Sequence, residues 1–457
     1  MIPGIKCVRT NILPANSSGN YSWSPSSNNR ITFQIPSFPN SYISPKRSFI
    51  RFLLKTSSNG VLVPQANVFR RMLLKSSRGQ VLEDIDNLDV LSRIFQNMKS
   101  EATLKGEAFS SKDVRAVDVA KNFGNMTNAN GQNMRHHLMS GILGEHQEFL
   151  IPVSSMAASS GYAFQLELFL NENAKVVGST NTADATYTIE DVSYDMELVE
   201  VSDAIMADIN SELSSGSQIP LPYKSWRSFN TALSGAGTQH KVDIAESAIN
   251  AEKIYSVIVP QSWTQKQSVN TTKYLGKAYD PYSFYGGRKA LSDSGAFTSP
   301  TDYVTKYNWR YGSTYYPSAP ISLEQDSTVA LETTLASFDL KGNDLPFMAA
   351  QETDATGATC RFESRDFMLA HNFNKTGEKM LSGLNLSSTG APVSLSLTFN
   401  SNPNASVPKA IQTFVEQSNT LYIKPDGSAS VGSAKYSDFS MDETAMPSRR
   451  PGWQRWL

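Results

Sequence analysis

The sequence predicts an all-β protein built as two consecutive β-sandwich domains, with only short helices set in the loops. Three observations carry this reading. Apolar and polar residues alternate at a period of two in segment after segment, which marks strands with one buried and one wet face. Charged residues make up only 18% of the 457 residues, below the roughly 25% usual for soluble domains. Polar surface therefore falls to Ser, Thr, Asn and Gln, which suit strands and turns better than exposed helices. Finally, the chain is too long for one ordinary core, and its strand pattern starts afresh after Gly216.

Residues 1–27, rich in Ser and Asn, read as a loosely ordered N-terminal arm. In "RITFQIPSFPNSYISPKRSFIRFLLK", Ile31, Phe33 and Ile35 alternate with Thr32 and Gln34, and Phe49, Ile50, Phe52 and Leu53 pack between Lys46, Arg47, Arg51 and Lys55. Pro36, Pro39 and Pro45 corner the link, so the two strands are expected in opposite sheets with the link crossing between them. Val61, Val63, Val68, Met72 and Leu74 follow in short strands punctuated by Gly60, Pro64 and Gly79. Over "NLDVLSRIFQNMKSEATL" the period changes: Leu88, Leu91, Ile94 and Phe95 share a helical face, with Asn87 or Asp89 placed to cap it. After a polar stretch to Gly131, strand patterns resume in "GILGEHQEFLIPVSS", "YAFQLELFL" and "ATYTIEDVSYDMELVEV". A short helix over "SDAIMADINSELSSG", capped by Ser202 or Asp203 and stopped at Gly216, closes this half.

The second half restarts at "IPLPYKSWRSFNTAL". A strand pair in "HKVDIAESAINAEKIYSVIVPQSW" precedes the aromatic "YNWRYGSTYYPSAPISLEQDSTVALETTLASF", which turns strand-like or partly helical. "PVSLSLTFN" and "IQTFVEQSNTLYIKP" then reproduce the close of the first half, an alternating strand, a polar loop and a longer strand, without residue identity. Domain-size norms give units at 28–216 and 217–440, followed by a tail over 441–457. The stretches 97–135 and 262–320 have the size of loop insertions. Many short strands with turn residues between them point to sandwiches or barrels, the jelly roll foremost.

Composition excludes several functions. With 41 Lys and Arg against 42 Asp and Glu, the chain lacks the basic excess of a DNA-wrapping protein, and little charge repulsion opposes self-association. Two cysteines, Cys7 and Cys360, leave no room for a disulfide framework and suit a reducing compartment. No apolar run reaches the roughly 18 residues of a membrane span, and none has the form of a signal peptide. The sequence shows no G-x-x-x-x-G-K-[ST] loop, G-x-S-x-G elbow, H-E-x-x-H or C-x-x-C. His136, His137 and His146, flanked by Glu145 and Glu148, form the one histidine cluster. His136 and His137 would point apart on a strand and no Cys joins them, so no metal site is assigned. Glu83, Asp84, Asp86 and Asp89 depart from a calcium loop and read as helix N-terminal charge. No catalytic residue, cofactor or metal is expected.

Two segments look like contact surfaces. The Tyr-rich 279–316 mixes Tyr, Phe, Trp and Arg, as protein interfaces and sugar platforms do. In "SRRPGWQRWL", Arg449, Arg450 and Arg455 stand beside Trp453, Trp456 and Leu457, an arrangement suited to anchoring on a neighbouring subunit. A tail folded back on its own domain is the plainer alternative.

"RITFQIPSFPNSYISPKRSFIRFLLK", "VFRRMLLKSSRGQVLEDIDNLDVL", "MSGILGEHQEFLIPVSSM" and "YAFQLELFL" together resemble major capsid proteins of the double jelly-roll lineage. The type is that of polinton-like viruses and virophages, in the adenovirus-like lineage of double-stranded DNA viruses. The resemblance implies a structural capsid protein and not an enzyme, a homotrimer of pseudo-hexameric outline that tiles an icosahedral shell. It also implies assembly in the host cytoplasm or nucleus, a separate penton protein at the fivefold vertices, and minor capsid partners. Nucleic-acid contact is expected at most through the tail. The alternatives are a carbohydrate-binding β-sandwich such as a viral spike or lectin, using 279–316, and a jelly-roll glycoside hydrolase, for which no pair of carboxylates stands out.

Overall fold

The computed structural model describes residues 5–16, 22–57, 60–62, 68–100, 103, 131–156, 161–179, 184–262, 284–291, 297–298, 300–325, 327–340, 346–349, 351–354, 357–373, 383–386, 393–405 and 408–433. The first half holds strands β1 Lys6–Ile12, β2 Ser22–Trp23, β3 Arg30–Pro36, β4 Ser41–Thr56, β5 Gly60–Leu62, β6 Phe69–Ser76, β7 Val81–Asp86, β8 Gln132–His136, β9 Tyr162–Leu170, β10 Val177–Ser179 and β11 Tyr187–Glu200. The second holds β12 Ile219–Ala232, β13 Gln239–Ile244, β14 Ala251–Pro260, β15 Ala290–Leu291, β16 Phe297–Thr298, β17 Val304–Tyr311, β18 Thr314–Ser322, β19 Gln351–Asp354, β20 Gly357–Cys360, β21 Leu369–Asn372, β22 Val393–Phe399, β23 Lys409–Ile423 and β24 Ala429–Ser433. Among the described residues three helices longer than two turns sit between strands: α1 Leu88–Met98, α2 Asp203–Ser214 and α3 Thr328–Ser337. Among the described residues no helix is long and apolar enough to cross a membrane.

The four large sheets follow one plan twice. Lettered a to h in chain order, the strands building the first sandwich are β1, β3, β4, β6, β7, β8, β9 and β11. Those of the second are β12, β13, β14, β17, β18, β21, β22 and β23. In both halves one sheet runs a-h-c-f and the other b-g-d-e, with antiparallel pairing at the long central ladders. Two four-stranded sheets in that order are a jelly roll, and the chain contains it twice.

Alternation explains why these residues form these strands. In β9, YAFQLELFL, Phe164, Leu166, Leu168 and Leu170 are all buried. Aromatic pairs close the first sandwich across its two sheets: Phe33 of β3 lies 6.2 Å from Tyr194 of β11, and Phe52 of β4 lies 5.7 Å from Phe69 of β6, edge to face. Burying each such ring contributes roughly 2–3 kcal/mol. β3 and β4 belong to opposite sheets, so the proline-cornered link is the expected crossing; Asn40, at φ 51°, makes its turn.

Several sequence expectations change. Within the expected arm, Lys6–Ile12 forms strand a, paired residue by residue with Tyr194–Glu200. As a half-exposed edge strand it has little apolar alternation to read. The expected strand in "GILGEHQEFLIPVSS" is a run of turns, with only a bridge between Ile43 and Ile151 and a short 3-10 turn over Val153–Met156. Two of its backbone donors, Gly141 N and Ile142 N, go to the Glu83 carboxylate instead of a neighbouring strand. The expected insertion 262–320 ends in β17 and β18, whose Tyr307 and Trp309 are buried in the second core. Asn87 occupies the N-cap of α1 in the left-handed region, and its side chain makes no cap bond; Asn87 Oδ1 accepts from Gln412 Nε2 at 3.3 Å across to β23. Gly216, at φ 85°, ends α2 as expected.

Candidate functional site

The tail residues Arg449, Arg450, Trp453, Arg455, Trp456 and Leu457 lie outside the described residues. The histidines take separate packing positions. The His136 ring lies 5.2 Å from Phe69, that of His137 lies 6.0 Å from Phe49, and that of His146 lies 4.8 Å from Phe95. Burial holds His136 down at about 4 and lowers His137 and His146 as well. Glu145 reaches Lys99 at 3.3 Å. Among the described residues no group of three or more His, Cys, Asp or Glu side chains is placed to hold a metal ion.

The acidic run divides. Asp89 alone stands in the first turn of α1, 3.4 Å from Lys175. Asp84, on β7, is held bidentately by Arg71 at 2.8 and 2.7 Å. Glu83, on the same strand, turns into the protein because β7 runs on to Asp86 before the helix starts. Of the Tyr-rich stretch, Tyr307 and Trp309 are core residues, while Tyr316 packs 5.4 Å from His371.

The dominant constellation is the junction of the two sandwiches, which the sequence does not announce. Helix α1 lies between them. Its Phe95 ring packs 5.6 Å from Trp226, 6.0 Å from Tyr255 and 5.8 Å from Phe338, all of the second half. Two residues to either side of Phe95, and one turn apart from each other, Arg93 Nη2 and Asn97 Nδ2 donate to Oδ1 of the wholly buried Asp366 at 3.3 and 3.1 Å, and Arg361 Nε donates to its other oxygen at 3.1 Å. The two guanidiniums stack on Phe284 and Phe347 at 4.1 and 4.0 Å. Farther along the junction, Tyr223 of β12 donates its hydroxyl to the Leu82 carbonyl at 3.3 Å.

Beside Tyr223, the turn after Leu138 wraps the Glu83 carboxylate. Gly141 N donates to one oxygen at 2.8 Å, and Ile142 N donates to the other at 3.3 Å together with the Ser140 hydroxyl. These donors favour the charged form, but desolvation outweighs them and pushes Glu83 up to about 7. A carboxyl whose pKa rises on folding contributes stability that is complete below its unfolded value, near 4.5. That stability is lost as pH climbs through about 7. Over the same range the buried histidines, held below their usual value, add stability as pH rises, so Glu83 opposes their slope, and Glu83→Gln should make the urea midpoint climb more steeply between pH 4.5 and 7. An unchanged slope in the variant would assign the pH dependence elsewhere.

No protein-family model and no curated protein sequence matches the chain. Solved structures do. PBCV-1 VP54, fitted into a cryo-EM reconstruction of the virophage Sputnik, superimposes with a TM-score of 0.61 at 12% identity, over 94% of this chain and 97% of that one. The Faustovirus major capsid protein gives 0.57 at 11% identity, over 91% and 90%. The mavirus major capsid protein gives 0.52 at 11% identity, over 97% and 92%. Identity this low speaks for the fold, and coverage this complete speaks for the whole of it, both sandwiches in one order. The chain has the double jelly-roll fold of these viral major capsid proteins.

Proposed function

We propose that the chain is a major capsid subunit, a structural protein whose homotrimers tile an icosahedral virus shell and which resides in the virion. The observation that carries this is the a-h-c-f and b-g-d-e plan built twice in one chain. Three copies set six nearly alike sandwiches around an axis, a pseudo-hexameric tile whose contacts are heterologous and close into a ring. The similarity to capsid proteins over nine-tenths of both chains supports it. The working units are 28–216 and 217–440, with β1 and β2 of the arm completing a sheet of the first. Penton and minor capsid proteins are the further partners. A lectin-like role finds less support, since Tyr307 and Trp309 are spent on the core.

Light scattering on purified protein should report three chains, and electron microscopy should show trimers or shells. A monomer at all concentrations would overturn the reading. The 441–457 tail is proposed to dock on a neighbouring capsomer or minor protein through Trp453, Trp456 and Leu457, with Arg449, Arg450 and Arg455 pairing acidic groups. Three charges alone give packaged DNA little affinity at physiological salt. Deleting Pro451–Leu457 should leave trimers folded and weaken the contacts between them, so that shells fail at high salt. Unfolding of the truncated chain would instead place the tail in its own core.

A further inference from the structure

The b-g-d-e sheets of the two sandwiches share a strand order, yet the middle of their wet faces differs in charge. On the first sandwich strand g is β9, and Glu167 stands on its wet face with its side chain only 4% exposed. Its carboxylate collects the cations of both neighbouring strands. Lys75 of β6 lies 2.7 Å away, Arg30 of β3 lies 3.7 Å away, and Gln165 Nε2 donates at 2.8 Å. The first sandwich therefore carries its own anion between strands b and d.

On the second sandwich strand g is β22, whose Val393, Leu395, Leu397 and Phe399 face the core. Its wet face is left to Ser394, Ser396 and Thr398, none of them a carboxylate. The flanking cations remain. In the ladder Lys241 of β13 stands opposite Ser396, and Lys306 of β17 stands opposite Thr398. They turn outward to Asp243 at 2.8 Å and Glu324 at 3.2 Å, all four side chains being about half exposed. Exposed pairs of this kind are weak, so a better-placed anion can draw both ammoniums off their partners.

Between the two lysines lies a groove of about 480 Å³, in the size range of small-ligand sites, whose lining includes Gln239, Lys241, Lys306, Asn308, Ser396 and Thr398. One wall is braced by His240, whose Nε2 lies 2.8 Å from the Gly237 carbonyl and whose ring packs edge to face 5.6 Å from Phe399.

We infer that this groove binds an acidic carbohydrate, with the carboxylate of a uronic or sialic acid residue lying between Lys241 and Lys306 as Glu167 lies between Lys75 and Arg30. The hydroxyls of Ser396 and Thr398 and the amides of Asn308 and Gln239 both donate and accept, as sugar hydroxyls do. An acidic peptide fits less well, because extended peptides are read through pockets for alternate side chains and this floor carries hydroxyls. Tyr307 and Trp309 serve the core from the opposite face of β17, so recognition here runs through charge and hydrogen bonds. The site is additional to the capsid role and stands or falls independently of it.

Isothermal titration calorimetry with tetragalacturonate tests it, maltotetraose serving as the neutral sugar of equal length. The unaltered chain should bind the acidic sugar at least about tenfold more tightly than the neutral one, and the preference should shrink as salt rises. Lys241→Gln with Lys306→Gln should remove the preference, and because both positions are about half exposed the thermal melt should not move. Ser396→Glu supplies in cis the carboxylate that the groove lacks. It should abolish tetragalacturonate binding with the chain still folded and cooperative in its melt. Undiminished binding by either variant would overturn the assignment, as would equal binding of maltotetraose or no binding of either sugar. A hexaglutamate peptide that binds as tightly as tetragalacturonate, and is lost in the same variants, would overturn it in favour of an acidic protein segment. Light scattering on the same samples reads the oligomer separately, so a groove that binds nothing on a trimeric chain leaves the capsid reading standing.

Discussion

Replacing Asp366 with Leu is expected to cost about 3–5 kcal/mol of unfolding free energy, because removing one partner of a buried ion cluster strands the charges that remain. Asp366 is wholly buried and accepts from Arg93 and Asn97 of the first half and from Arg361 of the second. Arg93 also donates to the Arg365 carbonyl at 3.5 Å, so the loop carrying Asp366 is held at two points. Without the carboxylate, two guanidiniums stay in a site whose other walls include Phe284 and Phe347. Cation–π stacking, worth about 2 kcal/mol when desolvated, does not replace a charge-assisted pair for each. Replacing the whole cluster behaves differently, since buried ion triads exchanged for apolar residues of similar volume are often neutral or better. Arg93→Met and Arg361→Met added to Asp366→Leu should therefore recover most of the loss. Urea unfolding of the single and triple variants measures both numbers. A triple variant as unstable as the single one would show that the cluster holds the junction by shape and not by charge.

Strands were legible wherever one face is wet and the other dry. β3, β9 and β22 show period-two alternation, and their boundaries follow from it. The crossing between β3 and β4 was legible as well, because prolines forbid a simple hairpin ladder there. β1 was not: its partner is Tyr187–Glu200, nearly two hundred residues away, and an exposed edge strand needs no apolar face to pair. The junction was illegible for a related reason. Arg93, Asn97 and Asp366 each look like ordinary polar surface residues in sequence, and only the tertiary fold makes them neighbours across more than 260 positions. Asp89 was read correctly as first-turn charge. Glu83, six residues earlier, was misread with it because the strand's end cannot be placed from acidic composition alone.

Gly141→Ala is expected to cost about 3 kcal/mol or more, at the upper end for a methyl forced into packed structure. A Cβ built on Gly141 would stand 1.5 Å from the Lys224 carbonyl oxygen and 2.7 Å from its carbon, both backbone atoms of β12. A side chain could rotate out of the way. A strand paired along its length with β23 cannot. The Gly141 turn must therefore withdraw, and its N–H is one of the donors holding Glu83. Withdrawal leaves that buried carboxylate under-satisfied and lifts the first half off Tyr223 and Lys224, so the two sandwiches should lose their common unfolding transition and melt in two steps. Gly79→Ala is the control. Gly79 has φ 79° but open space where its Cβ would go, so only backbone strain of about 1–2 kcal/mol applies, with one cooperative transition retained. Urea unfolding followed by tryptophan fluorescence and by far-ultraviolet circular dichroism separates the cases, since diverging midpoints report two steps. Equal losses with coincident midpoints for both variants would mean that the close approach at Gly141 does not clamp the sandwiches together.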